Sequence, residues 1–432
     1  MIQIKNGLVI DPASCCEQEM DLLIEDGLIA ACDKPGSFSS KTEAEIIDAR
    51  GMWVVPGLVD IHVHLREPGF EWKETIESAG RAALAGGYTS VCCMPNTSPV
   101  NHNAEVTQFI LKRARECCGP HVLPIGSVSL GLKGEEMSPF SELREAGCVA
   151  FSDDGEPVWN AGLMRRALEW CRMLGVRICC HEEDKHLCAG GSMNESALSE
   201  RLGLRGIPAM SEEVMIARDI ELARATRGRV HICHISTARG VELVRRAKCD
   251  GIDITCEVTP HHLHLNEDAV RNYDTDAKMN PPLRLVEDQE ALLQGLKDGT
   301  IDAIASDHAP HEEEKKKVEF GQAAFGIIGL QTNLPLTLEL VHAGRLSRTR
   351  AIEAMTSGPA RTLGLAGGSL RKGAAADITL IRPDFTWCFE RDKILSLSRN
   401  SPFIGREFKG IADSVIVSGR ILQRSRENGE RA

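Results

Sequence analysis

The chain has 432 residues, with 50 Lys+Arg against 62 Asp+Glu and a formal net charge of -12. That length allows a large core and two or three structural units, and the acidic balance argues against a nucleic-acid or anionic-membrane surface. The N-terminal MIQIKNGLVIDP lacks a basic segment followed by a long apolar core, and no uncharged apolar run reaches membrane-span length, so a cytoplasmic location is the default expectation.

Residues 1–53 read as short strands and turns: 2–4, 7–10 ending at Asp11-Pro12, 21–24 ending at Asp26-Gly27, and 45–48. Turn pairs at this spacing mark a small antiparallel β-unit. Residues 367–432 have the same texture, with strand-like runs at 376–381 and 413–420. Two β-rich ends around a different middle predict one small β-sandwich domain built from both termini. The 16 cysteines include the adjacent pairs Cys15-Cys16, Cys92-Cys93, Cys117-Cys118 and Cys179-Cys180 and no CxxC, so they read as small reduced core residues.

From 54 to 366 apolar strands alternate with helical runs. Strands are expected near 54–61, 88–94, 121–128, 148–152, 176–180, 229–233, 252–257 and 302–306, the pattern of an α/β fold of the (β/α)8 TIM-type barrel class. Ser211 is expected to cap a helix with Glu212 and Glu213 in its first turn and Gly228 as its stop. A second helix is expected after Ser236. Glu312-Glu313-Glu314-Lys315-Lys316-Lys317 reads as a solvated loop face.

In a parallel barrel, chemistry collects where the carboxyl ends of the strands meet. The first strand ends in Asp60-Ile61-His62-Val63-His64-Leu65-Arg66, and residues i and i+2 of an extended chain share a face, which sets His62 beside His64. Strand two ends in Asn96, strand four in Asp153-Asp154-Gly155, strand five in His181, strand six in His234 and strand eight in Asp307. His62, His64, His181 and His234 with Asp154 and Asp307 suffice for a two-metal site with a bridging carboxylate. His231 and His262 read as structural. Metal ions so held activate water and polarise a carbonyl, hydrolysing amides without a serine or cysteine nucleophile. No GxSxG, P-loop or GxGxxG competes with that expectation.

The stretches His62-Val63-His64-Leu65-Arg66-Glu67-Pro68-Gly69 and Ala305-Ser306-Asp307-His308-Ala309-Pro310-His311, with Lys316 five residues on, resemble the two signatures of the bacterial class I dihydroorotases, within the metal-dependent cyclic amidohydrolases. The resemblance covers the whole chain. It implies zinc, one or two ions per chain, with His62, His64 and Asp307 on one ion, His181 and His234 on the second, and Asp154 in the bridging place that a carboxylated lysine takes in many relatives. It implies Arg66, Asn96 and His311 around a substrate carboxylate, Asn280 on the ring amide, and backbone near Gly326 against the ring. Gln331 stands where the family leads us to expect Glu.

The activity so implied is reversible hydrolysis of (S)-dihydroorotate to N-carbamoyl-L-aspartate in pyrimidine (UMP) biosynthesis, by zinc-activated water with Asp307 as general base and then acid. A homo-oligomer is expected, and aspartate transcarbamoylase is the candidate partner. Two rivals stand beside this: another cyclic amidohydrolase (allantoinase or dihydropyrimidinase), against which Arg66 and Asp154 count, and a non-catalytic subunit serving the transcarbamoylase, against which the complete ligand set counts.

Overall fold

A computed structural model describes residues 1–38 and 44–424. All the expected terminal strands lie within the described residues, while the expected units 1–53 and 367–432 extend outside them at 39–43 and 425–432. The N-terminal strands are β1 (Ile2–Asp11), β2 (Cys16–Glu25), β3 (Leu28–Asp33), β4 (Glu45–Asp48) and β5 (Trp53–Pro56). The barrel strands follow as β6 (Leu58–Val63), β7 (Tyr88–Cys93), β8 (His121–Gly126), β9 (Ala150–Ser152) and β10 (Ile178–Cys180). After the two-residue strands β11 (Met193–Asn194) and β12 (Gly206–Ile207), which pair with each other, come β13 (Val230–Ile232), β14 (Ile254–Val258) and β15 (Ala303–Ile304). The chain ends in β16 (Ile378–Cys388), β17 (Glu407–Val417) and β18 (Arg420–Arg424).

Both chain ends join one sheet, in the order β18-β17-β16-β5-β1-β2-β3, with β4 on β1. β1 forks: its first half pairs with β4 and its second half with β5. The forked sheet closes over a core that includes Ile4, Leu22, Ile29, Ile47, Val54, Leu380 and Ile416. Ile10, Trp53, Val55, Ile381 and Ala412 join the main barrel core instead, which fastens the terminal sheet to the barrel.

Eight parallel strands run β6-β7-β8-β9-β10-β13-β14-β15. The seam between the last and first is bridged rather than fully paired. His64 N donates to His308 O at 2.9 Å, and Ser306 N donates to both carboxylate oxygens of Asp60 at 3.2 Å. Inside, Val59, Ile61, Ile125, Ala150, Ala303 and Ala305 pack with the thiols of Cys92, Cys179 and Cys233. Eight of the cysteines are buried as expected, but Cys15, Cys118 and Cys249 are exposed and Cys16, Cys32, Cys117, Cys188 and Cys388 half-buried. Among the described residues no helix is long and apolar enough to cross a membrane.

Local differences from the sequence expectations have physical causes. The run expected as one strand at 54–61 is two, split at Gly57, where a Cβ would stand 2.1 Å from Thr89 Oγ1. The helix Met210–Thr226 starts one residue before Ser211, whose hydroxyl turns back to Pro208 O. Its last turn ends on Arg227 in a left-handed conformation, before Gly228. Glu212 does not merely greet the helix dipole: it accepts from the backbone and hydroxyls of Ser236 and Thr237. The charged run after His311 includes a turn of helix, Glu313–Lys316, and Lys316 is buried.

Candidate active site

The six side chains expected at the strand ends meet at the barrel mouth, all buried. Nε2 of His64 lies 3.1 Å from Asp307 Oδ1 and 3.4 Å from Asp154 Oδ2. Nε2 of His62 lies 3.3 Å from Asp154 Oδ1 and 3.6 Å from Asp307 Oδ1. On the other side His181 Nδ1 lies 3.1 Å from His234 Nε2, and these two atoms lie 3.8 and 3.4 Å from Asp154 Oδ1. Ligand atoms held about 2.05 Å from one ion in a tetrahedron stand about 3.3 Å apart. The distances are of the size that ligand atoms around a metal ion have, and Asp154 lies within reach of both groups of histidines.

Two further observations fit a cation there. Nε2 of His62 is buried and makes no hydrogen bond, although Asp154 is in reach. Burial alone would disfavour a charged His62, but Asp154 and Glu257 outweigh it and raise its pKa well above the ordinary value. The pocket thus carries an excess of negative charge for a positive ion to answer. The clusters His62-His64-Asp307 and Asp154-His181-His234 each have their ligand atoms within 4.8 Å of one another and allow a metal site. Asp153, by contrast, is turned away and accepts from Val128 N, Ser129 N and Ser129 Oγ at 2.8, 2.9 and 2.5 Å.

The backbone that aims these groups is strained. Arg66, His234 and Asp307 have φ of 62°, 33° and 46°, left-handed conformations that cost non-glycine residues about 1–3 kcal/mol each. The surrounding structure holds them: Arg66 Nε donates to Pro310 O at 3.2 Å, and its Nη2 lies 3.4 Å from His311 Nε2. Burial, opposed by Asp307 and Asp154, lowers the Arg66 pKa to about 10, so it stays a cation. Burial and the neighbouring Arg66 push His311 down to about 2, so it stays neutral.

The other expected contacts are brought to the mouth with their polar groups partly committed. Asn96 Oδ1 meets His64 Nδ1 at 2.9 Å and its Nδ2 donates to Asp154 O at 3.3 Å, so Asn96 orients the cluster. Asn280 Nδ2 donates to Glu183 Oε2 at 2.6 Å and lies 3.4 Å from His181 Nε2. Gly326, at φ 124°, fits where a Cβ would lie 2.7 Å from Ala309 Cβ. Its N donates to Lys278 O, and its O accepts from Lys316 Nζ and Asn400 Nδ2, both at 3.0 Å. Gln331 is explained: its Oε1 accepts from Leu395 N and its Nε2 donates to Lys393 O, and a carboxylate could not make the second bond.

Sequence reading missed Glu257. Its Oε1 lies 2.7 Å from His62 Nδ1 and its Oε2 3.1 Å from His231 Nε2, whose Nδ1 reaches Thr255 Oγ1 at 2.9 Å. The signal was a lone carboxylate in the apolar strand β14. His231, read as structural, is thus tied to the cluster. His262, read as structural, is held between Thr259 Oγ1 and Pro281 O. His261, which the sequence did not single out, is buried with neither ring nitrogen hydrogen-bonded.

A family model described as Dihydro-orotase-like matches residues 51–240. The chain is 51% identical over 421 residues to a dihydroorotase of Pelobacter propionicus, covering 98% of this chain and 99% of that one. It is 52% identical over 428 residues to a dihydroorotase of Pelotomaculum thermopropionicum, covering 98% of each. Among solved structures it is similar to an L-hydantoinase (dihydropyrimidinase) from Arthrobacter aurescens, with TM-score 0.89 and 26% identity over 100% of this chain and 97% of that one. A dihydropyrimidinase from Brevibacillus agri, at TM-score 0.85 and 22% identity over 100% and 96%, shares the fold.

Proposed function

Because this chain belongs to the dihydroorotase family, we propose that its barrel mouth hydrolyses the cyclic amide of (S)-dihydroorotate, reversibly, to N-carbamoyl-L-aspartate in pyrimidine biosynthesis. The observation that carries the reading is a buried guanidinium, Arg66, beside two His/Asp clusters, with Asp154 within 3.4 Å of His62, His64 and His234. A cation at that place suits a ring bearing a carboxylate, and the guanidinium fork matches a carboxylate in two-point fashion.

The clusters would hold zinc, one or two ions per chain: His62, His64 and Asp307 on one side, His181 and His234 on the other, with Asp154 between. When bound, zinc supplies Lewis acidity toward a carbonyl oxygen and makes water a nucleophile near neutral pH. The remaining tasks fall to the chain. Arg66 holds the ring carboxylate, with neutral His311 and Asn96 beside it, and Asn280 offers its amide to the ring. Asp307 turns Oδ1 to His64 and His62, which leaves Oδ2 to accept the proton of the attacking water. As the ring C–N bond breaks, Oδ2 returns that proton to the departing nitrogen.

A cytoplasmic location, self-association and a complex with aspartate transcarbamoylase belong to the same proposal and rest on the resemblance to the class I enzymes. Turnover of dihydroorotate, dihydrouracil and allantoin by one preparation tests the substrate. Dihydroorotate alone should turn over at an enzymatic rate, and preference for either uncharged-ring rival would refute the role given to Arg66.

A further inference from the structure

Away from the barrel mouth, three sulfurs meet on the terminal sheet. Cys16 is the first residue of β2, directly after the left-handed Cys15 that ends the turn Pro12–Ser14. Met20 lies further along β2, and Cys32 lies on β3, opposite Leu22. The Cys16 and Cys32 Sγ atoms lie 3.5 and 3.6 Å from Met20 Sδ, and Gln18 Nε2 lies 3.5 Å from the same sulfur. All three sulfur residues are half-buried and line an open surface cavity of about 370 Å³.

The three side chains pack against the core of the terminal sheet with their sulfurs in contact. A thioether is a weak hydrogen-bond acceptor, yet three donors converge on this one. Three sulfurs about 2.3 Å from a common ion stand about 4 Å apart, and Met20 Sδ stands 3.5 and 3.6 Å from the two thiols. The cavity supplies an entry path. Asp11, the carboxylate on the cavity wall, already accepts from Ala13 N, Ser14 Oγ, Ser369 Oγ and Leu370 N.

We propose that Cys16, Met20 and Cys32 form a binding site for a soft monovalent cation, Cu(I). Thiolate and thioether ligands select this class of ion over the harder ions suited to imidazole and carboxylate, so the site is chemically separate from the barrel clusters. Two thiolates around one monovalent ion leave one net negative charge, and Arg371 and Lys372 on the cavity wall provide its counter-charge. Burial and the neighbouring Cys16 raise the Cys32 thiol to about 11, so binding displaces protons.

The test titrates the zinc-loaded, fully reduced full-length protein with Cu(I) against a chromogenic Cu(I) chelator, without oxygen. One Cu(I) per chain should bind, with zinc content and dihydroorotate turnover unchanged. Cys16→Ser, Cys32→Ser and Met20→Leu should each weaken binding by at least about tenfold, since each removes one of three soft ligands. A copper-edge X-ray absorption spectrum of the unmodified protein, which needs no variant to fold, should fit three sulfur neighbours. Absence of binding, Cu(I) retained by the Cys16→Ser/Cys32→Ser double variant, an unweakened Met20→Leu, or nitrogen or oxygen neighbours at the copper would each overturn the assignment.

Discussion

Glu257 Oε1 stands 2.7 Å from Nδ1 of His62, and because a carboxylate only accepts, it keeps a proton on that nitrogen and leaves Nε2 as the atom that can face a metal ion. The second oxygen is held by His231. Glu257 thereby sets both the tautomer and the ring orientation of a proposed ligand. Replacing Glu257 by Gln keeps the shape and removes the charge, and should weaken zinc affinity by about 10- to 100-fold. Competition with a zinc chelator measures this, and unchanged affinity would reduce Glu257 to a packing residue.

Arg66→Ala should lose dihydroorotate turnover while keeping its zinc. Loss of a charged hydrogen-bonding partner is worth about 1.5–3 kcal/mol, or about 10- to 150-fold in kcat/KM. Arg66→Lys should recover little, because an ammonium cannot reproduce the fork. Steady-state kinetics with metal analysis on the same samples separates this from a collapsed site.

Lys316 clamps the segment after His311, its Nζ donating to Ala324 O at 2.9 Å, Gly326 O at 3.0 Å and Lys278 O at 3.4 Å. Lys316→Met leaves these carbonyls without their cation and should cost about 2–4 kcal/mol of stability. It should also raise KM for dihydroorotate with zinc retained, because Gly326 then loses its anchor. An unchanged KM would show that the clamp serves folding alone.

His121 on β8 faces Asp377, which precedes β16, with Nε2 3.3 Å from each carboxylate oxygen. The hydrogen bond that His121 donates to the Asp377 carboxylate outweighs burial and raises the His121 pKa. A raised folded-state pKa means the pair stabilises fully below the unfolded value of about 6.5, and that this contribution is lost as pH rises through the folded pKa. The imidazole is partly exposed, so the effect is at most about 1 kcal/mol. The difference in Tm between the parent and His121→Asn should be largest in mild acid and shrink toward alkaline pH. A pH-independent difference would deny the charged pair.

The strand-end residues were legible because a barrel converts sequence position into place: whatever follows an apolar strand lands at the mouth. His62, His64, His181, His234 and Asp307 needed only that rule, whereas Asp154 needed the family resemblance to separate it from Asp153, which follows the same strand. Glu257 was not legible, since its meaning depends on which histidine lies across the barrel, a contact 195 residues away in sequence. Lys316 was hidden by its neighbours: five charged residues around it suggest solvent, and only the fold turns it inward. The split of 54–61 followed from Gly57, whose missing Cβ admits Thr89, a packing fact no local pattern encodes.

The central claim is that the two clusters, with Asp154 between them, hold the zinc on which hydrolysis depends. Zinc content per chain and dihydroorotate turnover, followed together as a chelated preparation is reloaded, test it directly. Turnover should be lost with the zinc and return in proportion to the zinc restored, up to two ions per chain. Full turnover from a preparation stripped of metal would contradict the account.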